Sequence, residues 1–436
     1  MKRKFLCILL LFSPLLIIRA GEPKMIPDLK TREILTFRTS DNKVKIGLDG
    51  RIQLDGAAFW GEDYQSLGNG VAFRRVRLGA NVSVGEHLSG KIEAELTGGE
   101  FGLADAFIRY TVFKGLEFRA GNFKEAFSME SQNSSNDLLF LERAPVVTAF
   151  APDRHIGLQG TFIKKHFWLA AGIHFQRVKG IKEKNNSESN NKLGRNEGIS
   201  YTGRFVWMSH SGSPDKGISA GVSASYRTPK SDVSPDSPNS VRFDPSTSGI
   251  NKIKFIDSGL ITGVGHEWRT GVELAGYSNG FRMQGEYILN RVSRTGSLPT
   301  EKFDGFYVQA ACLLFGGRQV YNTGRAAFTQ PLTGKKWGDI EVAARFDRLD
   351  MNGAAVYGGR SNQYTLGINY YINNNLKIQL NYAYTDTDRF ANADGSAAVG
   401  LNAGGGLAYN PEDIDPRFGA GGNDYNSVSL RIQFKF

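Results

Sequence analysis

The chain has 436 residues with 52 Gly and 14 Pro, is 11 % aromatic, and has a formal charge of +10 and a mean hydropathy of −0.31. Many strands and turns fit this mixture better than many helices do. After the N-terminus, no segment approaches the roughly 20 consecutive apolar residues that a membrane-spanning helix needs. The bases are interspersed with acids, which argues against the clustered basic surface of a nucleic-acid-binding protein.

Residues 1–20 predict a secretory signal peptide. Three bases at residues 2–4 precede an apolar run from Phe5 to Ile18, and Ala20 offers a small residue for cleavage. The run is too short and wrongly flanked for a spanning helix, although an N-terminal membrane anchor is the alternative. Removal of the peptide would take away four bases and no acid, so the exported chain would keep an excess of six bases.

An alternation with a period of two residues begins at residue 44. The positions from Ile46 to Trp60 are apolar at every second residue, whereas the interleaved positions include Asp49, Arg51 and Asp55. Such a run exceeds the 9 to 11 residues that a tilted strand needs to cross a bilayer. One face would contact lipid and the other a polar lumen.

The same alternation recurs and predicts 16 strands, an even number, as in single-chain bacterial barrels. They are expected near residues 44–60, 71–84, 88–97, 102–113, 115–124, 155–164, 166–177, 197–208, 216–228, 267–278, 280–293, 302–315, 338–350, 361–372, 375–386 and 424–436. The last strand is amphipathic and ends in Phe436, which is typical of outer-membrane barrels.

Short and long links between these strands mostly alternate, as expected for short periplasmic turns and long external loops. The exceptions are a short link at 98–101 on the external side and a long one at 316–337 on the periplasmic side. Residues 44–436 are therefore predicted to form an all-β fold, a transmembrane antiparallel β-barrel of about 16 strands. Residues 21–43 would form a short periplasmic N-terminal segment.

Seven short motifs occur in a fixed order along this predicted barrel. They are GRIQLD at 50–55, FRRVRLG at 73–79, ADAFIRY at 104–110, RAGNFK at 119–124, ERAP at 142–145, DRHIGL at 153–158 and EVAARFD at 341–347. Together they resemble the phosphate-selective porin O and P family over about residues 46–436.

The resemblance implies an outer-membrane porin of a Gram-negative-type bacterium, exported through the periplasm, with no cofactor. It implies a homotrimer of 16-stranded barrels in outer-membrane lipid, whose third external loop, about 125–154, folds into the lumen as a constriction. Small hydrophilic solutes would diffuse through it passively. Small anions, such as phosphate or polyphosphate-like solutes, would be preferred because basic residues guide them.

Nine basic residues are the candidates to line the pore and bind anions. They are Arg51, Arg75, Arg77, Arg109, Arg119, Lys124, Arg143, Arg154 and Arg345. The planar fork of Arg suits phosphate because it donates two parallel hydrogen bonds. The alternative is that these bases pair with acids on the same face, such as Asp49, Glu93 and Asp105, and brace the barrel wall.

Enzymatic functions are not supported by the sequence. The six His are scattered, none at helical spacing to a carboxylate, and no motif singles out a nucleophile. We therefore predict no catalytic residue and no metal site. The alternative function is a closed structural or adhesive surface barrel whose long loops, 229–266 and 387–423, bind a partner. Electrical conductance separates that barrel from a porin.

Overall fold

The computed structural model describes residues 25–27, 35–99, 101–178, 180–209, 215–230, 235–246 and 248–436. The predicted signal peptide lies outside the described residues. Sixteen strands, named in chain order, form the barrel. They are β1 (Val44–Trp60), β2 (Gly70–Val84), β3 (Leu88–Glu95), β4 (Gly102–Phe113), β5 (Leu116–Lys124), β6 (Arg154–Lys164), β7 (Phe167–His174), β8 (Ser200–Met208), β9 (Lys216–Arg227), β10 (Val264–Ser278), β11 (Phe281–Arg294), β12 (Glu301–Leu313), β13 (Asp339–Asn352), β14 (Tyr357–Tyr371), β15 (Leu376–Thr387) and β16 (Tyr425–Lys435).

The barrel closes where β16 pairs with β1. The pairing runs antiparallel from Asn426 opposite Trp60 to Lys435 opposite Arg51. The remaining barrel strands each pair antiparallel with their neighbours in the chain. All sixteen predicted strands are confirmed, and none of their ends differs from the prediction by more than four residues.

The alternation of side chains explains why these segments form a barrel wall. On β10, Val272 and Leu274 are exposed, whereas Glu273 and Ala275, which alternate with them, are buried. The exposed apolar set faces outward to lipid, and the buried, mainly polar set faces inward. A shift of one residue would invert both faces, so the pattern fixes the register.

The N-terminal segment continues the sheet of the barrel. Leu35–Thr39 pairs with the start of β1, with Leu35 opposite Leu48. This strand occupies the edge of β1 that β16 leaves free, because the chain ends opposite Gly50, where two backbone hydrogen bonds join Gly50 and Phe436. Met25–Pro27 adds a further short strand to this edge. The described part of 21–43 therefore covers an edge of β1 that would otherwise be unpaired.

The helices are short and lie in the loops. α1 (Met129–Gln132) and α2 (Pro145–Phe150) lie between β5 and β6, and α3 (Ile181–Lys192) lies between β7 and β8. Single 3-10 turns occur at Thr97–Gly99, Pro411–Asp413 and Pro416–Phe418, and a two-residue hairpin pairs Gly400–Leu401 with Leu407–Ala408. Among the described residues, no helix has the length and apolar character needed to cross a membrane.

The long link between β12 and β13 contains a hairpin that pairs Arg318–Asn322 with Ala327–Leu332. Its Tyr321 stacks on Tyr277, an inward-facing residue of β10, at a ring-centroid distance of 6.0 Å. Phe328 is almost fully buried. This periplasmic hairpin therefore packs against the inner face of the wall, which accounts for the long link at a position where a short turn was expected.

Candidate pore lumen

The segment between β5 and β6, residues 125–153, is the third loop, and it contacts the inner wall at separate strands. The carboxylate of Glu286 on β11 accepts hydrogen bonds from the backbone N–H groups of Met129 and Glu130, at 3.1 and 2.7 Å. Arg431 on β16 donates to the carbonyl oxygen of Leu141 at 2.6 Å. The two wall residues are five strands apart in the barrel.

A row of inward-facing donors on β14 and β15 binds carbonyl groups of the third loop. Lys377 and Gln379 donate to the carbonyl oxygen of Leu138 at 3.2 and 3.3 Å, and Asn369 donates to that of Leu139 at 2.9 Å. A buried carbonyl without a donor costs about 1–3 kcal/mol. These hydrogen bonds therefore determine the path of the third loop along the wall.

Arg204 on β8 fixes the tip of the periplasmic hairpin. It donates to the carbonyl oxygens of Arg325 and Ala326, at 3.1 and 2.6 Å. Its remaining N–H groups bind both carboxylate oxygens of Glu273, at 2.9 and 2.6 Å. The hairpin also reaches the third loop, because the hydroxyl of Thr329 donates to the carboxylate of Asp137 at 3.0 Å.

A cavity of about 1270 Å³ remains beside these two insertions. It is lined by inward faces of β1 to β7 and of β9 and β10, by the third loop, and by parts of the other loops and the hairpin. Sixteen Lys and Arg and nine Asp and Glu line it, an excess of seven positive charges. The candidate pore is therefore off-centre and basic.

Eight of the nine predicted candidates line this cavity, and Arg345 is the exception. Arg345 pairs with Asp347 at 2.9 Å and donates to the carbonyl oxygen of Glu142 at 2.9 Å. Its guanidinium also lies 4.8 Å from the ring centre of Phe140. The structure thus places Arg345 where the third loop joins the wall, with no face toward the cavity.

Glu93 on β3 is surrounded by four bases. Its carboxylate lies 2.5 Å from Arg51, 3.0 Å from both Arg77 and Lys91, and 3.9 Å from Arg154. Each of these four bases therefore contacts a carboxylate, as bracing of the barrel wall would require. The same four bases also lie within 3.5 Å of four further carboxylates, so this cluster has no net positive charge; these carboxylates are Asp49, Glu95, Asp105 and Asp153.

A second cluster surrounds Glu142 in the third loop. Arg74 lies 2.6 Å from its carboxylate, Arg431 3.3 Å and Arg75 3.9 Å. Burial by itself would raise the pKa of Glu142, but the three guanidinium groups outweigh it and hold that pKa well below its usual range. Glu142 is therefore ionised, and the three bases outnumber the two carboxylates that they contact, Glu142 and Asp55.

Two bases share one carboxylate toward the periplasmic end of β4 and β5. Arg109 and Arg119 lie 3.4 and 3.3 Å from Glu117. Both guanidinium groups also lie over the ring of Phe107, at 5.6 and 4.7 Å from its centre. An aromatic ring stabilises a cation without cancelling its charge. Both side chains are partly exposed to the cavity.

Lys124 and Arg143 bind carbonyl groups of the third loop and no carboxylate among the described residues. Lys124 donates to the carbonyl oxygens of Ser131 and Asn133, at 2.5 and 3.1 Å. Arg143 donates to those of Glu130 and Asn133, at 2.9 and 2.8 Å. Burial lowers the pKa of Arg143, but a guanidinium remains protonated in proteins. Its charge therefore adds to the positive field of the cavity.

Further bases line the cavity that the candidate set did not include. Lys91 and Arg269 occupy inward positions of β3 and β10, so strict alternation could have found them. Arg74 lies at a β-bulge that interrupts the pairing of β1 with β2, which hides its inward direction. Arg227 is an inward residue at the end of β9. The others lie outside the barrel strands and follow no period; they are Arg177, Lys230, Arg242 and Arg325.

No cluster that could hold a metal ion occurs in the described ranges, where no three His, Cys, Asp or Glu side chains come together in the necessary way. The cavity presents guanidinium, ammonium and carboxylate groups together with hydroxyl groups and amides, all of which interact with ions and polar solutes.

The chain is similar to a known protein family and to individual proteins of other bacteria. The family model described as phosphate-selective porin O and P matches residues 46–410. Porin O of Pseudomonas aeruginosa is 25 % identical over 407 residues, covering 84 % of this chain and 89 % of that protein. An uncharacterised protein of Caulobacter vibrioides is 27 % identical over 359 residues, covering 80 % of this chain and 70 % of the other.

Two solved structures share the barrel fold. The anion-selective porin from Comamonas acidovorans has a TM-score of 0.54 and 14 % identity, and the match covers 90 % of this chain and 100 % of that one. The trimer form of OmpT from Vibrio cholerae has a TM-score of 0.53 and 12 % identity, over 90 % of this chain and 99 % of the other.

Proposed function

Because the chain belongs to the phosphate-selective porin O and P family, we propose that this outer-membrane porin passes small anions, phosphate among them, in preference to cations. The observation that carries the proposal is the excess of seven positive charges around the cavity. A channel with low-dielectric walls focuses the field of the charges that line it, which raises the local concentration of counter-ions. Rings of basic side chains favour anions in this way.

Wall bracing and anion attraction are compatible in this lumen. Arg51 and Arg77 do brace the wall, because both contact Glu93. The positive excess of the lining comes instead from other bases. Arg109 and Arg119 share the single carboxylate of Glu117, and Arg143 binds carbonyl groups. Such an excess attracts an anion without binding it irreversibly, which conduction requires.

The third loop sets the size limit in this proposal. Its carbonyl groups are bound by donors of the wall on β14 to β16, such as Lys377 and Arg431, which fix it opposite the basic strands β2 to β5. A solute would pass between the loop and those strands, where Arg143 on the loop faces the same cavity as Arg75 and Arg77 on β2.

The names of two similar proteins agree with this proposal, since one is called Porin O and another is an anion-selective porin. Phosphate is the anion that best exploits the lining, because a guanidinium donates two parallel hydrogen bonds to it. Arg109 and Arg119 are suited to such bonds. They share one carboxylate, and both side chains are partly exposed to the cavity.

Block of the chloride current by phosphate in planar bilayers tests the phosphate part of the proposal. We expect millimolar phosphate to reduce the current through the wild-type channel, and Arg109→Gln combined with Arg119→Gln to require more phosphate for the same block. Arg417→Gln is the matched control, because Arg417 lies in an external loop with 71 % of its side chain exposed. A chloride current that phosphate leaves unchanged would contradict phosphate recognition.

We also propose that the chain forms a homotrimer. The structure of OmpT in its trimer form supports this arrangement for a barrel of this fold. Chemical cross-linking of the purified, unheated protein in detergent should give a product of three times the mass of the exported chain. A cross-linked sample that contains only monomer would contradict the trimer.

A further inference from the structure

We propose that the external ends of β11 and β12 bind the phosphate headgroup of an outer-leaflet lipid on the outside of the barrel. Arg291 on β11 and Lys302 on β12 are directly opposite each other in the sheet register. Both belong to the outward-facing set of their strands, and both are exposed. The site therefore lies outside the lumen and is independent of what the pore conducts.

Neither cation contacts a carboxylate in the part of the chain that the structure describes. Among the described residues, neither side chain has a hydrogen bond or an ion pair. Directly opposite residues on one face of an antiparallel pair have Cβ atoms about 4.5–5.5 Å apart, and like charges at such positions are destabilising. An anion bound between Arg291 and Lys302 would remove that repulsion, and a phosphate oxygen can accept from both side chains.

Neighbouring outward cations are compensated, which points to this pair in particular. On β13, Arg348 contacts Asp350 at 3.2 Å, and Asp350 is directly opposite Arg360 on β14. One carboxylate thus lies between those two cations. At the equivalent level of β8 and β9, the outward residues at the external ends are Tyr201 and Tyr226, which carry no charge.

The height of the pair matches that of lipid headgroups. Tyr287 and Phe306, opposite each other on β11 and β12, form part of an aromatic row of the kind that marks the membrane interface. Arg291 and Lys302 lie four residues beyond that row, about 13 Å farther along the tilted strands. Headgroups occupy the layer just outside the hydrocarbon core.

The surroundings favour a lipid over free phosphate. Below the pair, exposed Val308 and half-buried Leu289 offer apolar surface to acyl chains. Trp268 is opposite Arg291 on the other side of β11 and is 45 % exposed. Asp304 lies between the pair and the aromatic row, where its carboxylate accepts from the hydroxyl of Tyr287 at 2.8 Å. Its negative charge would keep a phosphate from sinking below the two cations.

Lipid retention by the purified, refolded full-length barrel tests the proposal. The protein is incubated with diphosphorylated lipid A in mixed micelles, and bound lipid is counted by native mass spectrometry. We expect Arg291→Gln combined with Lys302→Gln to lower retention about tenfold, as the loss of charge-assisted contacts implies. Lys216→Gln is the matched control, since Lys216 is an exposed outward cation at the opposite, periplasmic end of β9, and it should retain lipid A like the wild type.

A second variant separates the site from a folding defect. Lys302→Glu places a carboxylate opposite Arg291, so the barrel should fold and conduct as the wild type does while retention falls. Equal retention by the wild type and the double variant would overturn the proposal, as would an equal loss in the Lys216→Gln control. Displacement of lipid A by millimolar inorganic phosphate would also overturn it, because the site would then bind a free anion.

Discussion

Arg431 on the last strand and Asp55 on the first form a two-pronged ion pair across the line where the barrel closes. The guanidinium nitrogens lie 2.7 and 2.6 Å from the two carboxylate oxygens, and both side chains are buried. Arg431 also donates to the carbonyl oxygen of Leu141 in the third loop. The same residue therefore joins barrel closure to the position of the loop.

Replacement of Arg431 by Met should destabilise the barrel by about 3–5 kcal/mol, because it leaves the carboxylate of Asp55 buried without its partner. Urea unfolding of the protein in lipid vesicles measures the change. The double variant Arg431→Met with Asp55→Leu should recover part of the loss, since no charge is then stranded. Arg417→Met, in the exposed pair with Asp415, is the control and should leave the unfolding midpoint unchanged. Equal midpoints for Arg431→Met and the control would contradict the prediction.

Lys377→Met should loosen the third loop. Lys377 donates to the carbonyl oxygens of Asn136 and Leu138, and Met leaves both without that donor. We expect a larger and noisier single-channel conductance, because the loop samples positions away from the wall. Lys216→Met changes a residue on the outward face and should conduct like the wild type. Traces of Lys377→Met that match the wild type in size and noise would show that the loop does not limit the current.

Replacement of residues 320–330 by a short Gly turn should raise the conductance several-fold. The periplasmic hairpin fills part of the lumen, yet it contributes only Gly324 and Arg325 to the cavity lining in the described residues. The preference for anions should therefore remain while the current grows. Arg204→Met is not an equivalent test, because it strands the buried carboxylate of Glu273. An unchanged current from a correctly folded deletion variant would place the hairpin outside the conducting path.

The ion pairs of Glu142 should persist in mildly acidic solution. The pKa of Glu142 is depressed below its ordinary value of 4.5, so its contribution to stability is complete above about pH 4.5 and is lost as the pH falls toward the lower, folded-state pKa. Urea unfolding from pH 8 to pH 3 measures the gap in stability between the wild type and Glu142→Gln. We expect a constant gap down to about pH 5 and a narrowing gap below it. A difference in unfolding free energy between the wild type and Glu142→Gln that grows as the pH falls would contradict the prediction.

The alternation of apolar and polar residues predicted the strands of the barrel wall, because successive side chains face lipid and lumen in turn and therefore differ in polarity. β1 shows this clearly, since its predicted and observed ends coincide at residues 44 and 60. The link 316–337 had the wrong length for a periplasmic turn, but length alone could not show that its hairpin packs against Tyr277 on the inner wall. That packing depends on contacts between residues far apart in the sequence, which produce no periodic pattern along the chain.

The sequence predicted which basic side chains point into the barrel better than it predicted what each of them contacts there. Arg77 and Arg345 both occupy inward positions of strands, yet Arg77 lines the cavity and Arg345 meets the third loop. The difference arises because the loop covers only part of the wall. The sequence of a strand does not specify which sector a distant loop will cover.

The reversal potential of the wild-type channel in a planar bilayer under a KCl gradient measures whether the pore prefers anions. The excess of basic side chains around the cavity predicts a potential that corresponds to chloride as the more permeant ion. Arg109→Gln combined with Arg119→Gln should shift that potential toward the value for potassium, whereas Arg417→Gln should leave it in place. A wild-type potential that reports preference for potassium would contradict the claim that this porin favours anions.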